Sequence, residues 1–475
     1  MLVSFIICLL AFVLIGISAA RKSRGTSRDY YLADQSVPPS LVGLSAVATN
    51  NSGYMFIGAI GYTYATGLAS IWLMVGWIAG DFMASLYVHH KLREAAAKSG
   101  ESSYAGMLSN WGFGRHYTTL RRVAAVITLM FLLAYASAQL IAGSKALSVL
   151  LDWPIWAGAV LGSIIVVAYC FSGGIRASIW TDAAQSVVMV CAMALLLTVG
   201  LNASGGFAGA SEQMGAIEHF LDWYPQDLPF PGIGGGILFA ASWMFAGLSV
   251  IGQPHIMIRF AALGNADQMR RARVYYYVWF TVFYCMAIGV GLLARILLNN
   301  PAEFDAELAL PTMALELLPG PLVGLVLAGI FAATISTADS LILSCSSALS
   351  NDLLKNKIES SLLIRLSTLG MTAIALALTF SEEQSVFALV IMAWSALASA
   401  FAPLLLVLCF GQRPSEKLAL TMMIGGLLVA IIWRWAGLAG AVYEGMPGIL
   451  FGLLIYAVGS RVSKPAEPLR AGSEA

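Results

Sequence analysis

The stretch LVGLSAVATNNSGYMFIGAIGY, residues 41–62, decides the fold. Both of its ends are apolar enough for a bilayer, yet its middle reads Ala48-Thr49-Asn50-Asn51-Ser52-Gly53. Asn, Ser and Gly are weak helix formers: polar side chains compete for the backbone, and Gly carries the largest entropy loss. In hydrocarbon, broken helix survives only where its freed backbone groups face protein, a cavity or a ligand. The stretch therefore predicts a membrane helix interrupted at mid-depth. A polar patch bonding two helices together is the other reading of such a segment.

The rest of the chain fits a bilayer. Of 475 residues, 59% are hydrophobic and 11% charged, and the mean hydropathy is +0.81. Soluble domains carry about 25% charge, so this surface faces lipid. A net charge of +1 gives no footprint for nucleic acid. The six cysteines stand singly in apolar runs, with no CxxC or Cys/His cluster for a metal or a disulfide framework. A nucleophile–His–acid set is also missing, and only five histidines occur, which disfavours an enzyme.

A spanning helix needs about 20 apolar residues. Apolar runs predict thirteen spans: 2–20, 38–64, 67–88, 121–148, 154–173, 178–202, 232–258, 274–298, 320–348, 362–380, 385–409, 417–436 and 445–460. The first lacks a basic stretch before it and is followed by Arg21, Lys22, Arg24 and Arg28, so it is expected to stay as a helix rather than be cleaved. With the N-terminus outside, all of the 26 basic residues except Lys145, Arg295 and Arg434 fall on the cytoplasmic side. The C-terminus is then cytoplasmic, and the loops 203–231 and 299–319 are outside and acidic.

A second interruption is expected in the seventh span, at Gly247-Leu248-Ser249-Val250-Ile251-Gly252-Gln253-Pro254-His255. Pro254 removes a hydrogen bond and crowds the preceding turn. Spans two and seven lie five apart, so they cross in opposite directions. Paired breaks in two antiparallel helices point to an inverted-repeat transporter with a midplane site. The ninth span adds hydroxyls in Ser336-Thr337-Ala338-Asp339-Ser340. Those hydroxyls, with carbonyls freed by the broken second span, are the hard oxygens that sodium takes. Ser and Thr bonding back to their own helix is the plainer reading. Asp81, Asp182 and Asp339 are carboxylates at membrane depth, a costly placement that marks functional positions. Asp182 is expected to open the sixth span, where it caps the helix or holds a cation.

These residues resemble the sodium/solute symporter family, most nearly its sodium/proline branch. The resemblance runs almost end to end. It is carried by Asp29-Tyr30-Tyr31-Leu32, Leu44 to Gly53, Gly173-Gly174 with Trp180-Thr181-Asp182, Gly252-Gln253-Pro254-His255-Ile256 with Arg259-Phe260, Ser336 to Ser340, Ala393-Trp394, and Tyr443-Glu444 with Pro447-Gly448. It implies an all-α polytopic membrane protein of about thirteen transmembrane helices with a LeuT-type five-plus-five inverted repeat. On that plan 1–37 is a peripheral helix and loop, 38–202 the first repeat and 203–231 an extracellular loop. The second repeat is 232–411, two peripheral helices fill 412–461, and 462–475 is a cytoplasmic tail.

The resemblance implies sodium-coupled import of a small organic solute, an amino acid such as proline or a related small solute such as a small carboxylate, across the bacterial inner membrane by a monomer without other cofactors. The sodium ligands carried over are the carbonyls of Ala48, Asn51 and Ala333 and the hydroxyls of Ser336 and Thr337. Asp182, Ser336, Asp339 and Ser340 match a second sodium site. Asn50, Ser52, Gly53, Tyr54, Tyr135, Trp243, Ala246, Val250, Gln253 and Trp394 match the solute site. Asn50 stands where the proline branch has Asp, and Tyr54 where it has Trp. Ala246 and Val250 replace an aromatic pair, which enlarges the cavity, and Trp243 lies one turn away to refill it. A proton-driven carrier using Asp182 and Asp339 is the rival mechanism. A sensor of the same fold is expected to need a signalling domain beyond the last span.

Overall fold

The computed structural model describes residues 1–462 except 23, 112–116, 229, 231, 299–303, 355–357, 359 and 381–384. The tail from 463 onward and Arg115, Glu303, Lys355, Lys357, Lys464 and Arg470, used above for topology, lie outside the described residues. Among the described residues every element is helical. The sole β-type pairing among them is an isolated bridge between Val37 and Leu263.

We number the long helices α1 (Leu2–Ala20), α2 (Pro39–Asn50), α3 (Ile60–Thr66), α4 (Ile71–Ser85), α5 (Thr118–Leu151) and α6 (Ile155–Ala203). They continue with α7 (Gly232–Leu248), α8 (Pro254–Ala261), α9 (Met269–Leu297), α10 (Gly320–Ser347), α11 (Ser361–Leu378), α12 (Val386–Cys409), α13 (Glu416–Trp435) and α14 (Gly445–Val462). Ten helical stretches among the described residues are long and apolar enough to cross a membrane, and 155–168 and 445–461 are shorter apolar helices. This count differs from the thirteen expected at three places: spans two and three join into one run, and the expected spans 154–173 and 445–460 are the two shorter helices. The run 52–85 continues through a short turn at Gly67, and α6 breaks only at Gly174 (φ +55°, ψ −144°). A side chain at Gly174 would meet the Tyr30 carbonyl at 2.4 Å, so the break also serves close packing.

Burial separates core from rim. The most apolar windows of α10 and α12 are 83% and 89% buried, against 22% for α1 and 28% for α13. The outer apolar faces of α1 and α13 are exposed among the described residues and suit lipid. α4 lies so close to α7 that a Cβ on Gly80 would fall 1.8 Å from the Met244 carbonyl oxygen, and one on Gly247 2.0 Å from that of Trp77. Small residues bring helix backbones together in this way. The approach turns Trp77 and Asp81 of α4 inward, where both are buried.

Candidate functional site

The interruption after α2 falls at Asn51 and Ser52, and Ser52 carries a φ of +20°. One helical turn (Ser52–Tyr54) and a wide turn (Met55–Ala59) lead into α3. Every backbone group released at such a break needs a partner. The amide N–H of Gly53 donates to Gln139 Oε1 of α5 (2.8 Å), and that of Tyr54 to Ser52 Oγ (3.1 Å). The carbonyls of Ala48 and Thr49 face α10. They accept from Ser336 Oγ (3.4 Å) and Thr337 Oγ1 (3.0 Å). Ser336 also bonds back to the Ala333 carbonyl at 3.1 Å. Ala48, Ala333, Ser336 and Thr337 are thus adjacent. Asn51, fully buried too, turns its amide back on the Val47 carbonyl (2.9 Å).

The second interruption runs from Ser249 to Gln253, which is extended (φ −98°, ψ 103°). Pro254 is not inside a helix. It opens α8, where its missing N–H costs nothing. Gly252 abuts α12, since a Cβ there would meet Ala398 Cα at 2.6 Å. Gln253 Nε2 donates to the carbonyls of Ser249 (3.1 Å) and Trp394 (2.9 Å).

Between the breaks lies a polar and aromatic cluster. Tyr135 donates to Ser52 Oγ (3.3 Å) and meets His255 edge-on (5.5 Å). Trp77 packs against both Tyr54 (5.7 Å) and Trp394 (5.1 Å). The Trp394 indole N–H donates to the Ala246 carbonyl (2.9 Å). The small residue at 246 therefore has a tryptophan from α12 beside it. Trp243 instead stacks on Tyr443 (6.1 Å) and meets Tyr62 edge-on (6.2 Å). Several buried polar atoms here have no hydrogen-bond partner among the described residues: Asn50 Oδ1, Asn51 Oδ1, Tyr54 OH, Gln139 Nε2, Gln253 Oε1 and both His255 ring nitrogens. Unsatisfied buried groups are costly unless a ligand or water meets them.

The cluster is closed at both ends of α2–α3. Beyond Tyr54, Tyr62 stacks on Phe387 (5.0 Å, 8° between planes). Past that layer opens a cavity of about 290 Å³ that reaches Arg434 and Glu444. Toward the start of α2 stands an ion cluster. Arg259, buried on α8, bonds Asp182 Oδ2 (2.9 Å), Ser45 Oγ (2.8 Å), Ser178 Oγ (2.7 Å) and Ser340 Oγ, and lies 3.8 Å from Asp339 Oδ1. The four residues matched to a second sodium site are together, but with a guanidinium among them. Asp182 also lies well inside the second half of α6 rather than opening it. Next to this cluster a small cavity touches Ser344 and Asp352. Arg121 then bridges Asp352 (2.7 Å) and Glu101 (2.7 Å).

Sequence reasoning did not place Trp77, Gln139, Arg259 or Tyr276 in the site. It weighed carboxylates at membrane depth, but a buried Gln or Arg in an apolar run is the same signal.

Residues 30–426 match the model of the sodium:solute symporter family. The chain is 30% identical over 452 residues to the high-affinity proline transporter PutP of Bacillus subtilis (strain 168), covering 93% of this chain and 94% of that protein. It is 29% identical over 485 residues to the sodium/proline symporter of Escherichia coli (strain K12), covering 98% and 93%. The substrate-bound outward-open structure of a Na+-coupled sialic acid symporter superposes with a TM-score of 0.80 at 17% identity, covering 98% of both chains.

Proposed function

The chain belongs to the sodium:solute symporter family, and we propose that the solute it imports with sodium is a small amino acid, proline or a relative of it. Thirteen crossings form a five-plus-five inverted repeat, spans 2–6 and 7–11, with a periplasmic N-terminus and a cytoplasmic C-terminus. Sodium is held by the carbonyls of Ala48, Asn51 and Ala333 and the hydroxyls of Ser336 and Thr337. The solute lies beside Asn50–Tyr54, Tyr135, Gln253 and Trp394, under Trp243, Ala246 and Val250. A monomer does this by alternating access. Sodium binds first, braces α2 against α10 and leaves where cytoplasmic sodium is low. Each charge moved gains about 2.3 kcal/mol per 100 mV of membrane potential.

The observation that carries this reading is the contact of two adjacent hydroxyls, Ser336 and Thr337, with two adjacent carbonyls, Ala48 and Thr49, at the point where a membrane helix is cut. The proline transporters among its relatives favour an amino acid. The unpartnered amide oxygens and the donor Gln139 Nε2 suit a zwitterion. The test is uptake of radiolabelled proline and other amino acids into proteoliposomes under a sodium gradient, a pH gradient, or choline in place of sodium. Accumulation driven by sodium alone is expected. Equal accumulation with choline refutes sodium coupling, and a response to the pH gradient alone favours proton carriage.

For the second sodium site, Arg259 already supplies positive charge to Asp182 and Asp339. Sodium joins this cluster only in a state where the guanidinium withdraws, and one sodium per cycle is the reading this geometry favours.

A further inference from the structure

One buried carboxylate has no part in the sodium reading. Asp81 lies on α4, fully buried, and among the described residues no Lys or Arg pairs with it. An unpaired carboxylate at membrane depth is costly. Two tyrosines of α9 serve it: Tyr277 OH donates to Oδ1 (3.0 Å) and Tyr276 OH to Oδ2 (2.7 Å). Tyr277 also meets Ser85 of the same α4, whereas Tyr276 leads to the break. Its oxygen accepts from Asn50 Nδ2 at 2.5 Å.

The direction of this chain is set by chemistry. Tyr276 gives its one hydroxyl proton to Asp81 Oδ2, so its oxygen is left to accept, which it does from Asn50. The Asn50 amide therefore has one orientation, with its NH2 toward α9. Its oxygen points away and is buried at the break without a donor. The carboxyl two hydrogen bonds behind polarises that oxygen further, since bonds in series strengthen one another in a low-dielectric interior. Such an acceptor suits a cationic N–H donor, whose arrival also supplies the positive charge Asp81 lacks.

We propose that Asp81 is a positioning residue that acts through Tyr276 to present the Asn50 amide oxygen to an ammonium group, so that the transporter selects solutes carrying a charged amine. The proposal rests on the reading that the break at Asn50–Gly53 is the solute site.

The test is thermal melting of the purified protein in sodium chloride with each standard amino acid, then with the deamino analogue of the best binder. The wild type is expected to shift with an amino acid and not with its deamino analogue. Asp81→Asn and Tyr276→Phe are each expected to weaken that binding about tenfold or more, the scale of one charge-assisted hydrogen bond. The double variant should be no weaker than either single, because both cut one chain. Tyr277→Phe removes the other bond to the same carboxylate and should change affinity less than about twofold. The sodium midpoint measured without solute should hold in all of them. Should Asp81→Asn fail to fold, the two tyrosine variants, each lacking one oxygen, decide the matter. Equal losses in the two tyrosine variants, a deamino analogue that binds as well, or no response of the wild type to any amino acid overturns the proposal. Asn50→Ala separates the two levels. If it abolishes solute binding while Tyr276→Phe does not, the chain is wrong and the site stands. If it too has no effect, the site reading fails.

Discussion

Thr337→Ala removes one oxygen at the proposed sodium site, and its consequence can be worked from two states. With sodium bound, the hydroxyl is a ligand to a charge, worth about 1.5–3 kcal/mol. Without sodium, the same hydroxyl bonds the Thr49 carbonyl at 3.0 Å, a neutral contact worth about 1 kcal/mol. The variant loses both, so the net loss in sodium binding is about 0.5–2 kcal/mol, a weakening of roughly twofold to thirtyfold. Thermal melting against sodium chloride, with choline chloride holding ionic strength, reads this directly, because stabilisation grows as the logarithm of sodium over its dissociation constant. The variant's curve should move to higher sodium with unchanged shape. Thr337→Ser should stay with the wild type. The maximal uptake rate should return at saturating sodium. A Thr337→Ala curve that overlies the wild type would show that this hydroxyl is no ligand.

Three further outcomes are expected. Gly80→Ala places a Cβ 1.8 Å from the Met244 carbonyl oxygen. It should force α4 off α7 and lower the melting temperature, whereas Gly370→Ala, which meets nothing within 4 Å, should leave it unchanged. Arg259→Gln strands two buried carboxylates, a loss of about 3–5 kcal/mol of stability, read as a lower melting temperature. Adding Asp182→Asn should recover part of it. Asp352→Asn weakens the Arg121 bridge, so a thiol introduced by Ser344→Cys in the adjacent cavity should react faster with a polar maleimide added from the cytoplasmic side. An unchanged rate would mean that the bridge does not close that end.

The break in α2 was legible because its causes are local. Asn50 to Gly53 are weak helix formers wherever they stand, and a bilayer makes that weakness visible. The hydroxyls of α10 were legible because helical spacing puts Ser336, Thr337 and Ser340 within a turn of one another. The partners that complete the site were not. Arg259 reaches Asp182 from 77 residues away in sequence, and Tyr276 reaches Asp81 from 195. No periodicity carries that information, because these meetings depend on which helices glycine lets approach. Trp394 beside Ala246 is the clearest case. The small residue in α7 was readable as lost aromatic surface, but the indole beside it comes from another helix. Pro254 misled for a related reason. Read alone it kinks a helix, and in place it begins one.

The break at residues 50–53 also accounts for coupling without a long path between sites. Its carbonyls at Ala48 and Thr49 face α10, its N–H at Gly53 faces Gln139 of α5, and its Asn50 side chain faces Tyr276 of α9. One interrupted segment thus meets the proposed ion on one face and the proposed solute on another. An ion that takes over the two hydroxyls holds Ala48 and Asn51 in place, and the neighbouring Asn50 and Gly53 are ordered with them. The solute then meets groups already fixed and loses less entropy on binding. Linkage requires the reverse: bound solute must tighten sodium by the same factor. Measured as sodium midpoints with and without solute, the two factors should agree. In Ser336→Ala, which loses the contacts to Ala48 and Ala333, both should shrink together. A Ser336→Ala variant in which sodium and solute still tightened one another by the wild-type factor would show that these contacts at the break are not the link.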